Sequence, residues 1–181
     1  KIKLSEYVMT EQVDVKPDGA AATTETPEGV QVGIQRIYTK DVSFEAPNVP
    51  EVFQDANFKP EVKMEMNSKS RKISDDMYEV VLTMTITAAS GETTGFLVEV
   101  QQAGLFGVRG LNDAQLRHLL STFCPETLYP YAREVISSLV SKGGFPPVYL
   151  APVNFDALFR AQMEQQAQQQ NAASEGQPAA E

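Results

Sequence analysis

Residues 77–88, MYEVVLTMTITA, carry the longest unbroken alternation in the chain. Tyr78, Val80, Leu82, Met84 and Ile86 fall on one side at period two, and Met77, Glu79, Val81, Thr83, Thr85 and Thr87 fall on the other. The first side is apolar; the second is mixed and rich in Thr and Val. That pattern predicts the central strand of an antiparallel sheet whose second surface meets something wet.

Shorter alternations flank it. Val30, Val32 and Ile34 alternate until the phase slips at Arg36 and Ile37, which predicts a bulge, and a second strand follows over 42–46. AlaProAsnValPro stops it, because proline donates nothing to a ladder. Residues 51–60 carry Val52, Phe53 and Phe58 without a strict period, so they read as a surface-crossing loop whose aromatics must pack on something. In EVKMEM, residues 61–66, Val62, Met64 and Met66 share one face and Glu61, Lys63 and Glu65 the other, as in a short amphipathic strand. AsnSerLysSerArgLys then reads as a turn into the central strand, and Ser90 to Glu92 as the next turn. The last predicted strand, 94–102, puts Phe96, Val98, Val100 and Gln102 on one face and Leu97, Glu99 and Gln101 on the other.

From Asn112 the period becomes helical, with Leu116, Leu119, Leu120 and Phe123 recurring at three and four. Pro125 ends that helix and opens a second, over about 126–142, whose stripe contains Leu128, Ala132, Val135, Ile136, Leu139 and Val140. Pro130 predicts a kink in its first turn, and Lys142 with Gly143 marks its end. A last helix should start at the N-cap Asn154 and bury Phe155, Leu158 and Phe159. Strands first and helices after predict an α+β class: a four-stranded antiparallel sheet followed by helices packed on one face. The expected organisation is a disordered tail over 1–29, a single domain over 30–160 and a disordered Gln-rich tail over 161–181. Met9-Thr-Glu-Gln looks like a start site, which would leave KIKLSEYV as upstream sequence outside the fold.

Composition narrows the functions. A net charge of −9 without clustered Lys and Arg argues against nucleic acid and for a basic partner. The one cysteine, Cys124, has no disulfide partner in the chain, which fits a reducing compartment and a cytoplasmic location. With no apolar run of membrane-spanning length and no apolar signal segment near the start, the protein is expected to be neither secreted nor membrane-spanning.

Candidate chemistry is sparse. His118, the one histidine, lies in the apolar-periodic LeuArgHisLeuLeu, where a helix-surface role outweighs that of a general base. No zinc-ligand set and no Cys/His dyad can be assembled, and Gly104, Gly107 and Gly110 are not placed as a nucleotide-binding turn. No catalytic residue, metal or cofactor is therefore expected. Met64, Met66, Met77 and Met84, gathered in two neighbouring strands, are compatible with core filler or with a soft, promiscuous apolar surface.

Five blocks in order, IQRIYTKDVSFEAPN, DDMYEVVLTMTITA, FLVEVQQAGLF, CPETLYPYAREVISSLVSKGGFP and LAPVNFDALF, closely resemble the SecB family of bacterial protein-export chaperones, over about 30–159. The resemblance implies a homotetramer, a dimer of dimers, that binds unfolded preproteins in the cytoplasm without ATP and delivers them to the translocase motor SecA. It implies that Asp41, Glu45, Leu97 and Glu99 meet the zinc-bearing C-terminal tail of SecA. It places an apolar client groove at Val62, Met64, Met66, Phe145, Val153, Phe155 and Leu158, and assembly on the strand face of Val98, Val100 and Gln102. Members of the family often have Leu where Met64 and Met66 stand and Trp near Phe58, a change that keeps the groove apolar but softer. The rival readings are a small-molecule or lipid-binding α+β domain, and an enzyme using His118 with a carboxylate.

Overall fold

Four antiparallel strands precede the three long helices in the computed structural model, which describes residues 29–175. The elements are β1 (Gln31–Glu45), α1 (Glu51–Gln54), β2 (Glu61–Ser74), β3 (Met77–Ser90), β4 (Thr93–Arg109), α2 (Asp113–Ser121), α3 (Phe123–Lys142) and α4 (Phe155–Glu175). The strand order is β1-β4-β3-β2, so β3 is central, as its alternation predicts, and β1 and β2 are the edges. Of the expected tail over 1–29, residues 1–28, with KIKLSEYV among them, lie outside the described residues.

Register explains the core. Met84 stands opposite Met66 on one side and Val100 on the other, and Val100 stands opposite Val42. Directly opposed residues share a face, so each such row crosses the whole sheet. On one face Val80, Leu82, Met84, Ile86, Val98, Val100 and Phe106 are wholly buried. α3 covers them with Cys124, Leu128, Ala132, Ile136 and Val140, one residue every four, the spacing that keeps side chains on one side of a helix. Fully burying each large apolar side chain contributes about 1.5–3 kcal/mol, which makes this layer the main source of stability.

Several elements run longer than their patterns suggest. The two strands expected before Pro47 are one, β1, with register shifts at Ile34/Arg36 and Thr39/Asp41. AsnSerLysSerArgLys is not a turn but the second half of β2, which pairs with β3 as far as Ser74 opposite Met77. An edge strand open to water has no need of an apolar face, so a polar run can extend it. β4 continues past Gln102 to Arg109, and Gly104 fits inside it because a Cβ there would run into the Phe106 ring and Leu128. The tight β3–β4 turn uses Gly91 at a φ of 60°, where other residues are strained. The supposed loop over 51–60 contains the one-turn α1, which buries Val52.

Among the helices, α2 opens on Asn112 with a full capping box: the Asn112 side chain accepts from the Gln115 N–H, and Gln115 Oε1 accepts from the Asn112 N–H. α3 begins earlier than expected, so Pro125 sits in its first turn and Pro130 inside it. Asn154 accepts from the Ala157 N–H at 2.9 Å, as an N-cap should. α4 then runs to Glu175, into the Gln-rich stretch from 161 where at most a frayed helical start is expected, since Gln and Ala favour helix.

Candidate functional site

α3 packs on β4, β3 and β1 and leaves the β2 rim of the sheet to the other helices. On β2, Val62 and Met64 point the same way as the buried Ala88 and Ile86 opposite them, yet are 48% and 43% exposed. Met66 is half-buried because α2 and α4 arrive above it. Together they leave a hollow of about 350 Å³ lined by Met66, Leu82, Leu120, Phe155, Leu158 and Phe159, with Ser68 and Ser70 on the strand side. Leu158 is 49% exposed rather than buried as its helical period implies. Val62 and Met64 continue this apolar strip along the strand.

Of the expected groove residues, Met66, Phe155 and Leu158 therefore share one hollow, and Val153 packs half-buried against the core. Phe145 does not join them. It is buried in a separate aromatic cluster, 5.0 Å from both Phe53 and Phe96 between ring centroids. Leu120 and Phe159 complete the hollow; their helical spacing is visible in the sequence, but not the strand they face.

The base of α4 is tied down at three points. Tyr129 donates a hydrogen bond to the Ala151 carbonyl, and its ring stands edge-on to Phe155 at 5.9 Å. Asp156 Oδ1 lies 2.9 Å from Nε2 of His118 on α2, and the Phe159 ring sits edge-on to that imidazole at 5.2 Å. His118 is thus a helix-surface residue with a carboxylate partner.

On the open face of the sheet the register brings the expected acidic positions together. Glu45 stands opposite Leu97, Ser43 opposite Glu99 and Asp41 opposite Gln101, so Asp41, Glu45, Leu97 and Glu99 occupy adjacent strands and point away from the helices. Thr85 and Gln101 donate to Glu99 at 3.4 and 3.3 Å. Val98, Val100 and Gln102 point the other way. Both valines are fully buried within the chain, and Gln102 is buried with its Oε1 accepting from Thr39. The face expected to carry assembly is thus already covered by α3 within the chain.

The open face also holds a charge cluster that the sequence reading misses. Glu79, 3% exposed, faces Arg71 across the β2–β3 pair. The Arg71 Nε–H donates to it at 2.6 Å, Lys40 lies 3.0 Å from both oxygens, and the Tyr38 hydroxyl donates as well. Tyr38 and Lys40 come from β1, so they reach across β4. The Arg71 and Tyr38 hydrogen bonds hold the Glu79 carboxyl down at about 2, against the opposing effect of burial. The same bond raises the Tyr38 hydroxyl, since ionising it would set two negative charges together. A lone Glu on a Thr- and Val-rich face was the available signal. By contrast burial pushes the Cys124 thiol up to about 12, which leaves it protonated and inert.

Among the described residues no three His, Cys, Asp or Glu side chains gather as a metal-ligand set, and no helix is long and apolar enough to cross a membrane. A family model described as preprotein translocase subunit SecB matches residues 25–166. Among solved structures, the chain is similar to the Mycobacterium tuberculosis Rv1957 SecB-like chaperone, in complex with a ChAD peptide from the Rv1956 HigA1 antitoxin. The TM-score is 0.57 at 16% identity, over 67% of this chain and 90% of that one. A Streptococcus agalactiae protein of unknown function matches more loosely, with a TM-score of 0.35 at 10% identity over 68% and 98% of the two chains.

Proposed function

Because the chain belongs to the SecB family, a family of chaperones, we propose that it is an ATP-independent holdase that binds unfolded preproteins in an apolar groove and hands them to SecA for export. The observation that carries this reading is the uncovered strip of β2. Val62 and Met64 lie on the core face of the sheet without a cover, and Met66 leads from them into the hollow under α4. Soluble domains rarely leave such a strip open unless something binds there. An extended segment could lie along it, contributing roughly 25 cal/mol for each Å² of apolar surface removed from water. The peptide held by the M. tuberculosis protein supports an occupant of that kind here.

Delivery to SecA is assigned to the opposite face. Asp41, Glu45 and Glu99 flank Leu97 there, an acidic surface with an apolar centre that suits a basic, zinc-bearing tail. This separation lets client and motor bind together. The working assembly in this reading is a cytoplasmic homotetramer, a dimer of dimers. Exposed Val32, Ile34 and Val42 on the helix side of edge strand β1 support association, in place of the buried Val98 and Val100.

The test is light scattering during refolding of a chemically denatured client, without nucleotide. A holdase suppresses the signal at near-stoichiometric amounts because it depletes the aggregating unfolded state by mass action. Undiminished scattering would sink the proposal and favour the rival, a domain that takes one small ligand in the hollow.

A further inference from the structure

The two walls of the hollow are secured in different ways. β2 is laddered to β3 along its whole length, so Met66 is fixed by backbone hydrogen bonds. α4 has no such ladder. Among the described residues, one side-chain hydrogen bond joins α4 to another element: Asp156 Oδ1 to Nε2 of His118, 2.9 Å. That same imidazole is the surface on which Phe159 rests edge-on, at 5.2 Å and 87°. Phe159 lines the hollow, and Leu158 beside it is the most open of the apolar side chains there. One residue of α2 therefore holds the first turn of α4 by a polar contact and the next turn by an aromatic one.

We propose that His118 is a positioning residue for the client groove: acting through Asp156 and Phe159, it sets where α4 stands over β2 and so whether Leu158 and Phe159 form the second apolar wall. This rests on the reading of the hollow as a client site. His118 and Asp156 touch no client in this scheme. Their side chains are each 51% exposed, so replacing them leaves no buried orphan, and the cost appears as a displaced wall rather than as an unfolded domain. Met64 and Val62 belong to the laddered wall and do not depend on the pair.

The full-length protein is titrated with reduced, carboxymethylated α-lactalbumin, a chain that stays unfolded, and each variant is also melted thermally. His118→Ala and Asp156→Ala are each expected to raise the Kd about three- to tenfold, the range of one lost hydrogen bond, with an unchanged melting temperature. The exchanged pair, His118→Asp with Asp156→His, should return the Kd to within about twofold of the parent, since it restores the bond with the partners reversed. A purely structural role instead lowers the melting temperature in step with the rise in Kd. Leu158→Asp is the control for the underlying reading. Should Leu158→Asp weaken binding while His118→Ala does not, the groove stands and the positioning role falls. Should His118→Ala weaken binding and lower the melting temperature together, the histidine is ordinary packing and the proposal is again overturned. If even Leu158→Asp leaves the Kd unchanged, the groove assignment itself fails, and the inference with it.

Discussion

Met84 and Met64 lie on the same face of the same sheet, each in a strand that alternates cleanly, yet Met84 is wholly buried and Met64 is 43% exposed. The difference is position. β3 and β4 are the inner strands, and α3 lies along them; β2 is the rim. A helix with its side chains is about 10–12 Å across and strands stand about 4.8 Å apart, so one helix covers about two strands. A single helix on a four-stranded sheet must leave a rim uncovered, and the part of β2 that α2 and α4 also miss carries Val62 and Met64 on that face rather than charge. Alternation thus assigns a side chain to a face, whereas the layer above decides between core and binding surface.

The sharpest break of that contrast is a carboxylate under the helix. Val98→Glu should unfold the chain rather than alter its assembly, because an uncompensated buried charge costs about 3–5 kcal/mol, much of the stability of a domain this size. Circular dichroism reads the loss directly, and a folded variant would mean that α3 does not seal this face.

Next comes the one carboxylate that the sheet already buries. A carboxyl whose folded pKa is depressed stabilises the fold above its unfolded value of 4.5, and that contribution disappears as the pH falls towards about 2. For Glu79 it amounts to about 2–3 kcal/mol, reduced from the full shift because Arg71 and Lys40 are themselves exposed. Denaturant melts of the parent and Glu79→Gln should differ by that amount at pH 7 and converge at pH 2. A gap that persists at pH 2 would assign the loss to packing instead of charge.

On the uncovered rim the same chemistry should be tolerated. Val62→Asp with Met64→Asp is expected to lower stability by about 1 kcal/mol or less while abolishing suppression of client aggregation. Melting of this variant would move both residues from groove to core. The smallest effect on folding belongs to the open face: Glu99→Lys should shift stability by about 0.5 kcal/mol or less and leave client holding intact, but weaken binding of the SecA tail at least about tenfold at low salt. Isothermal titration measures it, and an unchanged affinity removes Glu99 from that surface.

The faces of β3, β4 and β2 were legible in the sequence because a period of two needs only neighbours along the chain. Lengths were less so. The polar run from Asn67 to Lys72 looks like a turn, and its strand character comes from pairing with β3, a partner no local pattern reveals. The strand expected to stop at Gln102 runs on to Arg109, and the space above its Gly104 is filled by Phe106 and Leu128. For the site, Met66 with Phe155 and Leu158 came from resemblance and their meeting from the fold, while Phe145 was drawn away by an aromatic cluster that leaves no periodic trace. Glu79 was missed because its cations lie 8 and 39 residues away, one of them beyond an intervening strand.

The length of α4 has a mechanical consequence. Its 21 residues span about 30 Å, while its anchors, Phe155, Asp156 and Phe159, all fall in the first five. The helix is therefore a lever with its fulcrum at the hollow, and a tilt of about 10° at the base carries the far end about 5 Å at the helical rise per residue. Any shift of α4 at the hollow is therefore magnified along its length.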